Sequence, residues 1–126
     1  MKLHHIGFVV NSIDKFEKNL LFESKIYEVE DPVQHSKLSL YKNYSSSYIE
    51  LIEPLNEDAF TFNFLKKNGE GWHHLCYEAD SIEEMDDLVN KKNFIKVLGP
   101  VPALLFNNRN VYFFYTRNKS IVEFLL

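Results

Sequence analysis

The chain carries its own opening twice. Residues 4–20, HHIGFVVNSIDKFEKNL, and residues 73–89, HHLCYEADSIEEMDDLV, run in step at an offset of 69 without a gap. Each begins with a His-His pair and an aliphatic residue, Ile6 or Leu75, and passes an aromatic at Phe8 or Tyr77. Each then reaches an Asx residue, Asn11 or Asp80, followed by Ser-Ile. Asp14 and Glu83 stand three residues beyond that Asx, the pattern of a capping box at a helix start. The apolar positions that follow, Ile13, Phe16, Leu20 and Ile82, Met85, Val89, mark one helical face in both copies. Further on, Tyr48-Ile-Glu-Leu-Ile52 matches Ile121-Val-Glu-Phe-Leu125, with Glu50 opposite Glu123. The offset has grown to 73, so the second copy carries four extra residues in its loops. Strand, cap, helix and closing strand recurring in one order predict a duplication, and internal duplication limits the architecture more than any composition does.

Filling the intervals predicts a β-α-β-β-β plan in each half. The first half reads as a strand at 3–10, a helix at 12–21, and strands near 25–30, 37–42 and 48–52. The second reads as a strand at 72–78, a helix at 82–92, and strands near 95–98, 110–115 and 121–125. The link, about 56–70, is expected to carry a helix in which Phe60 and Phe64 share a face and Gly69 is the stop. With 126 residues the expectation is one α+β domain: module one about 1–55, the link, and module two about 71–126. Neither module is large enough to hold a core alone. The fold expected is two paired βαβββ modules forming a concave, partly closed mixed sheet with helices outside.

Composition narrows the partners. The chain is 45% apolar with a net charge of −4 and a pI near 5.7, and has no basic tract, which argues against nucleic acid. No apolar run is long enough to span a bilayer, so no membrane partner is expected. The opening MKLHHIGFVV places two histidines and a glycine where a secretory leader would be apolar, so none is expected. Cys76 is the only cysteine, which excludes an internal disulfide and points to a reducing, cytoplasmic setting. A small-molecule substrate remains.

The repeat also places ionisable residues in strands. Side chains alternate faces along a strand, so His4 is expected to share the apolar face with Ile6, Phe8 and Val10, and His5 the other. By the same parity His74 lies opposite Leu75 and Tyr77, Glu50 opposite Ile49 and Leu51, and Glu123 opposite Val122 and Phe124. If helices cover the apolar faces, His5, Glu50, His74 and Glu123 converge inside the concave sheet. Two imidazoles and two carboxylates form an N2O2 set for one divalent ion (Co, Ni, Zn, Mn or Fe), with open positions left for a chelating substrate. Burying the four together without a cation would be costly. His35 is expected in a surface loop and Cys76 as a small buried hydrophobe. Glu78 and the acids Glu83, Glu84, Asp86 and Asp87 are expected in solvent. No GxGxxG, P-loop, GxSxG or HExxH motif is present.

Modules that open with HHIGFVV and GWHHLCYEADSI and close with YIELIEP and SIVEFLL resemble the vicinal oxygen chelate superfamily over essentially the whole chain. That superfamily includes glyoxalase I, extradiol dioxygenases, fosfomycin-resistance enzymes and bleomycin-binding proteins. The stretch IELIEPLNEDAFTFNFLKKNGEGWHH is most similar to its methylmalonyl-CoA epimerase branch. The resemblance implies metal ligands at His5, Glu50, His74 and Glu123, the residues the repeat picks out. It also implies a metal-dependent epimerase or isomerase that abstracts a proton next to a carbonyl, with Glu123 as first base and Glu50 as a second catalytic candidate. The substrate would be an acyl-CoA or a thiol adduct, and the assembly a homodimer. Two alternatives accompany it: a glyoxalase I-like lyase and a non-catalytic small-molecule binder. One departure stands out. The epimerase branch has a further glutamate on the third strand of module one, whereas the stretch 36–41, SKLSLY, has no carboxylate and sets Leu38 at the matching position.

Overall fold

The computed structural model describes residues 1–126, which form eight strands and three helices. In chain order they are β1 (Lys2–Val9), α1 (Ile13–Glu17), β2 (Ser24–Asp31), β3 (Ser36–Lys42), β4 (Tyr48–Pro54), α2 (Phe62–Asn68), β5 (Gly71–Glu78), α3 (Ile82–Lys92), β6 (Ile95–Ala103), β7 (Arg109–Tyr115) and β8 (Ile121–Leu125). A 3-10 turn, Leu104–Phe106, follows β6. All eight strands belong to one mixed sheet in the order β2-β3-β4-β1-β5-β8-β7-β6. β1 runs parallel to β4, β5 runs parallel to β8, and the two halves meet at the antiparallel β1–β5 pair. No helix is long and apolar enough to cross a membrane.

Period-two alternation sorts the strands into two faces. On the convex side Val10, Ile13, Tyr41, Ile49 and Leu51 pack with Phe8, Phe16 and Leu20 around α1. Its counterpart in the second half packs Met85 and Val89 of α3 on Tyr112, Phe114 and Phe124. The concave face holds the largest cluster, among it Val9, Leu38, Ile52, Cys76, Phe106, Val111, Phe113, Ile121 and Leu125. α2 departs from the expected outside position, because its Phe64 and Leu65, with nearby Phe60, pack against this inner cluster.

α1 starts one residue later than expected, whereas α3 spans the expected 82–92, and in both the cap is the serine after the Asx. Ser12 and Ser81 are the N-caps, their hydroxyls accepting from the backbone N–H of Lys15 and Glu84. α1 ends at Glu17, short of the predicted residue 21. α2 is shorter than predicted as well, since residues 56–61 form turns ahead of it, though Gly69 ends it with a φ of +76°. β6 runs on to Ala103, beyond its predicted end at 98, and delivers the 3-10 turn across the mouth of the sheet. There Leu104 N–H donates to the buried Asp31 carboxylate at the end of β2 (3.3 Å), so the two edges of the sheet are tied together.

Candidate metal centre

Four buried donor atoms meet on the concave face, beside the β1–β5 seam. His5 on β1, Glu50 on β4, His74 on β5 and Glu123 on β8 bring one donor atom each to within 4.8 Å of one another. His5 Nε2 and His74 Nε2 stand 3.1 Å apart. Glu123 Oε2 lies 2.8 Å from His74 Nε2 and 3.1 Å from His5 Nε2, and Glu50 Oε1 lies 3.7 Å from both. Donors bound about 2.1 Å from one ion at right angles would sit about 3 Å apart, so these spacings suit a shared cation. Glu123 Oε2 has no solvent access and no aligned hydrogen-bond donor. A buried carboxylate oxygen crowded against two ring nitrogens without a hydrogen aimed at it calls for a positive charge at that point.

The two carboxylates are shifted in opposite directions. Burial, reinforced by the charge of Glu123, pushes the Glu50 carboxyl up to about 8. Burial acts on Glu123 in the same sense, but the His74 and His5 imidazoles outweigh it and hold that carboxyl well below the usual range.

The strand pairing packs the His5 and His74 imidazoles against the opposite half of the chain. His5 faces Cys76 and His74 faces Gly7 across the seam. Phe106 stacks on the His5 ring with centroids 5.2 Å apart, and Phe113 meets the His74 ring edge-on at 5.5 Å.

His4 is a correction to the parity argument. In the β1–β5 register Leu3 pairs with Tyr77 and His5 with Cys76, which leaves His4 as an extra residue in a bulge. The bulge turns His4 to the side of His5, where its ring meets Phe106 and Tyr48. The second seam irregularity leaves His73 as the extra residue between Trp72 and His74. Burial and the neighbouring ligand imidazole lower the pKa of His4 to about 4 and that of His73 to about 3. Simple alternation cannot reveal a bulge, but the His-His doublet at the start of both repeats was the available signal.

Cys76 is fully buried, as expected, and His35 lies in the turn between β2 and β3. Glu78 is not merely solvated: Arg109 Nη1 donates to its carboxylate at 2.6 Å and holds its pKa down. Among the helix acids, Glu84 accepts from the chain's amino terminus (3.2 Å) and from Asp80 N–H (2.8 Å). Leu38 belongs to the inner core. The small cavity of about 20 Å³ beside Glu50 and Glu123 is lined instead by the polar groups of Gln34, Ser36 and Thr61, with Phe60, Phe106 and Phe113. Sequence reasoning passed over Gln34 because it falls in a turn before β3.

A groove of about 950 Å³ opens on the other side of Phe60. Phe64, Trp72 and Tyr115 supply apolar wall, and Lys67, Arg117 and Lys119 supply positive charge.

The family profile described as the Glyoxalase/Bleomycin resistance protein/Dioxygenase superfamily matches residues 4–113. The chain belongs to that superfamily. Among its relatives, the mitochondrial methylmalonyl-CoA epimerase of Dictyostelium discoideum is 26% identical over 123 residues, covering 94% of this chain and 73% of the relative. The mitochondrial methylmalonyl-CoA epimerase of Bos taurus is 32% identical over 122 residues, covering 90% of this chain and 66% of the relative. A structure of a Streptomyces coelicolor methylmalonyl-CoA epimerase variant, in complex with 2-nitronate-propionyl-CoA, superposes with a TM-score of 0.80 at 20% identity. The match covers 99% of this chain and 96% of that one, which shows the common superfamily fold.

Proposed function

We propose that this chain is a divalent-metal-dependent epimerase of the methylmalonyl-CoA type, acting at a carbon next to a thioester carbonyl. The observation that carries the reading is the buried convergence of His5, Glu50, His74 and Glu123 around one point. In this reading the acting unit is the pair of modules, about 1–55 and about 71–126, with the link about 56–70 between them. His5 Nε2, His74 Nε2, Glu50 and Glu123 would hold the ion. The ion, when bound, supplies Lewis-acid stabilisation of the enolate oxygen. Glu123 takes the proton from the substrate carbon, and Glu50, on the neighbouring side of the small cavity, is the candidate for its return. Phe60, Phe106 and Phe113 line the small cavity beside the two carboxylates and would limit the water around the reacting carbon.

The small cavity has room for about one water, so the bulk of a substrate belongs in the large groove. Lys67, Arg117 and Lys119 suit the phosphates of an acyl-CoA there, and Trp72 and Tyr115 suit its adenine. The ion itself is of the Co, Ni, Zn, Mn or Fe class. A homodimer and a cytoplasmic, reducing setting belong to this proposal; the single buried thiol supports the latter.

One observation favours a second reading. Epimerisation calls for proton transfer on both faces of the enolate, and beyond the two candidate ligands the small cavity offers only the neutral groups of Gln34, Ser36 and Thr61. A glyoxalase-type lyase acting on a thiol adduct needs one base on one face. Methylmalonyl-CoA in deuterated water separates the two. Metal-loaded protein that exchanges the α-proton and interconverts the epimers, with both processes lost in Glu123→Gln, supports the epimerase. Absence of exchange with a full metal complement, alongside turnover of an α-ketoaldehyde–thiol adduct, overturns it.

A further inference from the structure

The two modules present their ligand imidazoles in the same unusual way. His5 Nδ1 lies 2.9 Å from His4 Nδ1, and His74 Nδ1 lies 2.9 Å from His73 Nδ1. In both cases the partner is the residue immediately before the ligand, and in both it is the extra residue of a seam bulge. Without the bulge, consecutive strand residues would point to opposite faces and no such contact could form. His4 is further fixed by Phe106 (ring centroids 5.2 Å apart) and His73 by Phe64 (4.7 Å).

Two nitrogens at hydrogen-bond distance share one hydrogen, so in each pair one ring donates and the other accepts. The direction follows from valence. An imidazole that offers its Nε2 lone pair to a cation, and remains neutral, carries its hydrogen on Nδ1. The hydrogen bond then runs from His5 to His4 and from His74 to His73, and the accepting rings keep their own hydrogens on Nε2.

We propose that His4 and His73 are positioning residues that accept the Nδ1–H of His5 and His74, holding each ligand ring in the orientation and tautomer that turns a bare Nε2 to the metal. This rests on the metal reading above. Metal-binding histidines usually donate their second nitrogen to a carboxylate, a carbonyl or water. A neutral imidazole orients the ligand equally well but adds no negative charge. Glu50 and Glu123 already balance a divalent ion, so two further carboxylates would make the site net anionic and weaken its pull on an enolate oxygen. Neutral acceptors leave that pull intact.

The test uses apo protein titrated with zinc against a chelating dye. His4→Leu and His73→Leu should each weaken zinc binding about 10- to 100-fold, while His4→Gln and His73→Gln, whose amide oxygens still accept, should recover most of that loss. In zinc-loaded, nitrogen-15-labelled wild type, long-range proton–nitrogen spectra should place hydrogens on Nδ1 of His5 and His74 and on Nε2 of His4 and His73. This second arm holds even if a leucine variant does not fold. Leucine variants that bind zinc like wild type, or a ligand ring with a bare Nδ1, overturn the proposal and leave the metal reading standing. A wild type that takes up no divalent metal overturns both.

Discussion

Gly7 lies directly beneath the His74 ring. A Cβ at position 7 would stand 2.6 Å from both ring nitrogens of His74 and overlap the carbon between them. The His74 ring therefore occupies the space a side chain at position 7 would fill. The reciprocal pairing sets His5 over Cys76, the residue equivalent to Gly7 by the repeat. Gly7→Ala is expected to displace the His74 ring and weaken metal binding at least about tenfold, with about 1–3 kcal/mol of overpacking cost to the fold. Dye-competition titration and thermal melting of the apo protein check the two parts. Unchanged affinity would show that the ring tolerates displacement.

Removal of either the His5 or the His74 imidazole is expected to have a larger effect. His5→Ala and His74→Ala are each expected to abolish stoichiometric metal uptake, as read by elemental analysis after loading and desalting. Adding metal to apo wild type should raise its melting temperature in a concentration-dependent way, and the same addition to the variants should not. A variant that keeps one equivalent of metal would place the ion elsewhere.

Near neutral pH the pH dependence of the metal-free protein follows from Glu50, His4 and His73. The Glu50 carboxyl, raised to about 8, holds a proton in the folded state that the unfolded chain releases near 4.5. Its contribution therefore falls as pH rises between those values. His4 and His73, lowered from 6.5 to about 4 and about 3, work in the opposite sense: the unfolded chain takes up two protons below 6.5 that the folded one refuses. Stability should peak near pH 6.5, declining towards 8 through Glu50 and at about the same rate towards 4.5, where the two histidines outweigh Glu50 by one proton. Glu50→Gln should remove the alkaline decline, and so should bound metal. Melting temperatures across pH 5 to 9, with and without a chelator, test this.

The duplication made the four-residue cluster legible because it compared each half with the other. His5 and His74, and then Glu50 and Glu123, stand out only as pairs; each alone is an ordinary strand residue. Strand parity then placed all four on the concave face, and β7 and β8 follow it through Val111, Phe113, Ile121 and Leu125. Parity failed where the backbone inserts a residue, at His4 and His73, since a bulge is a property of the β1–β5 pairing and not of either strand. The helix caps shifted by one because serine, not the Asx before it, offers the accepting oxygen. Asp31 escaped for a third reason: its donor Leu104 comes from the far edge of the sheet, a contact no local pattern encodes.

Asp31 gives the last prediction. Its buried carboxylate accepts from Val33 N–H (2.9 Å), Gln34 N–H (3.2 Å), the Gln34 amide (3.3 Å) and Leu104 N–H (3.3 Å). The first three shape the turn that sets Gln34 beside the small cavity. The fourth anchors the 3-10 turn whose Phe106 stacks on His5. Asp31→Ala leaves those donors unpaired and should cost about 3 kcal/mol of stability. With the turn unanchored, Phe106 no longer braces the His5 ring, so metal affinity should fall severalfold in protein that remains folded. Asp31→Asn keeps one accepting oxygen and should fall between alanine and wild type in both measurements. Chemical denaturation and dye competition on the same samples distinguish the outcomes: a stability loss without any change in affinity would confine Asp31 to the fold and sever its link to the metal site.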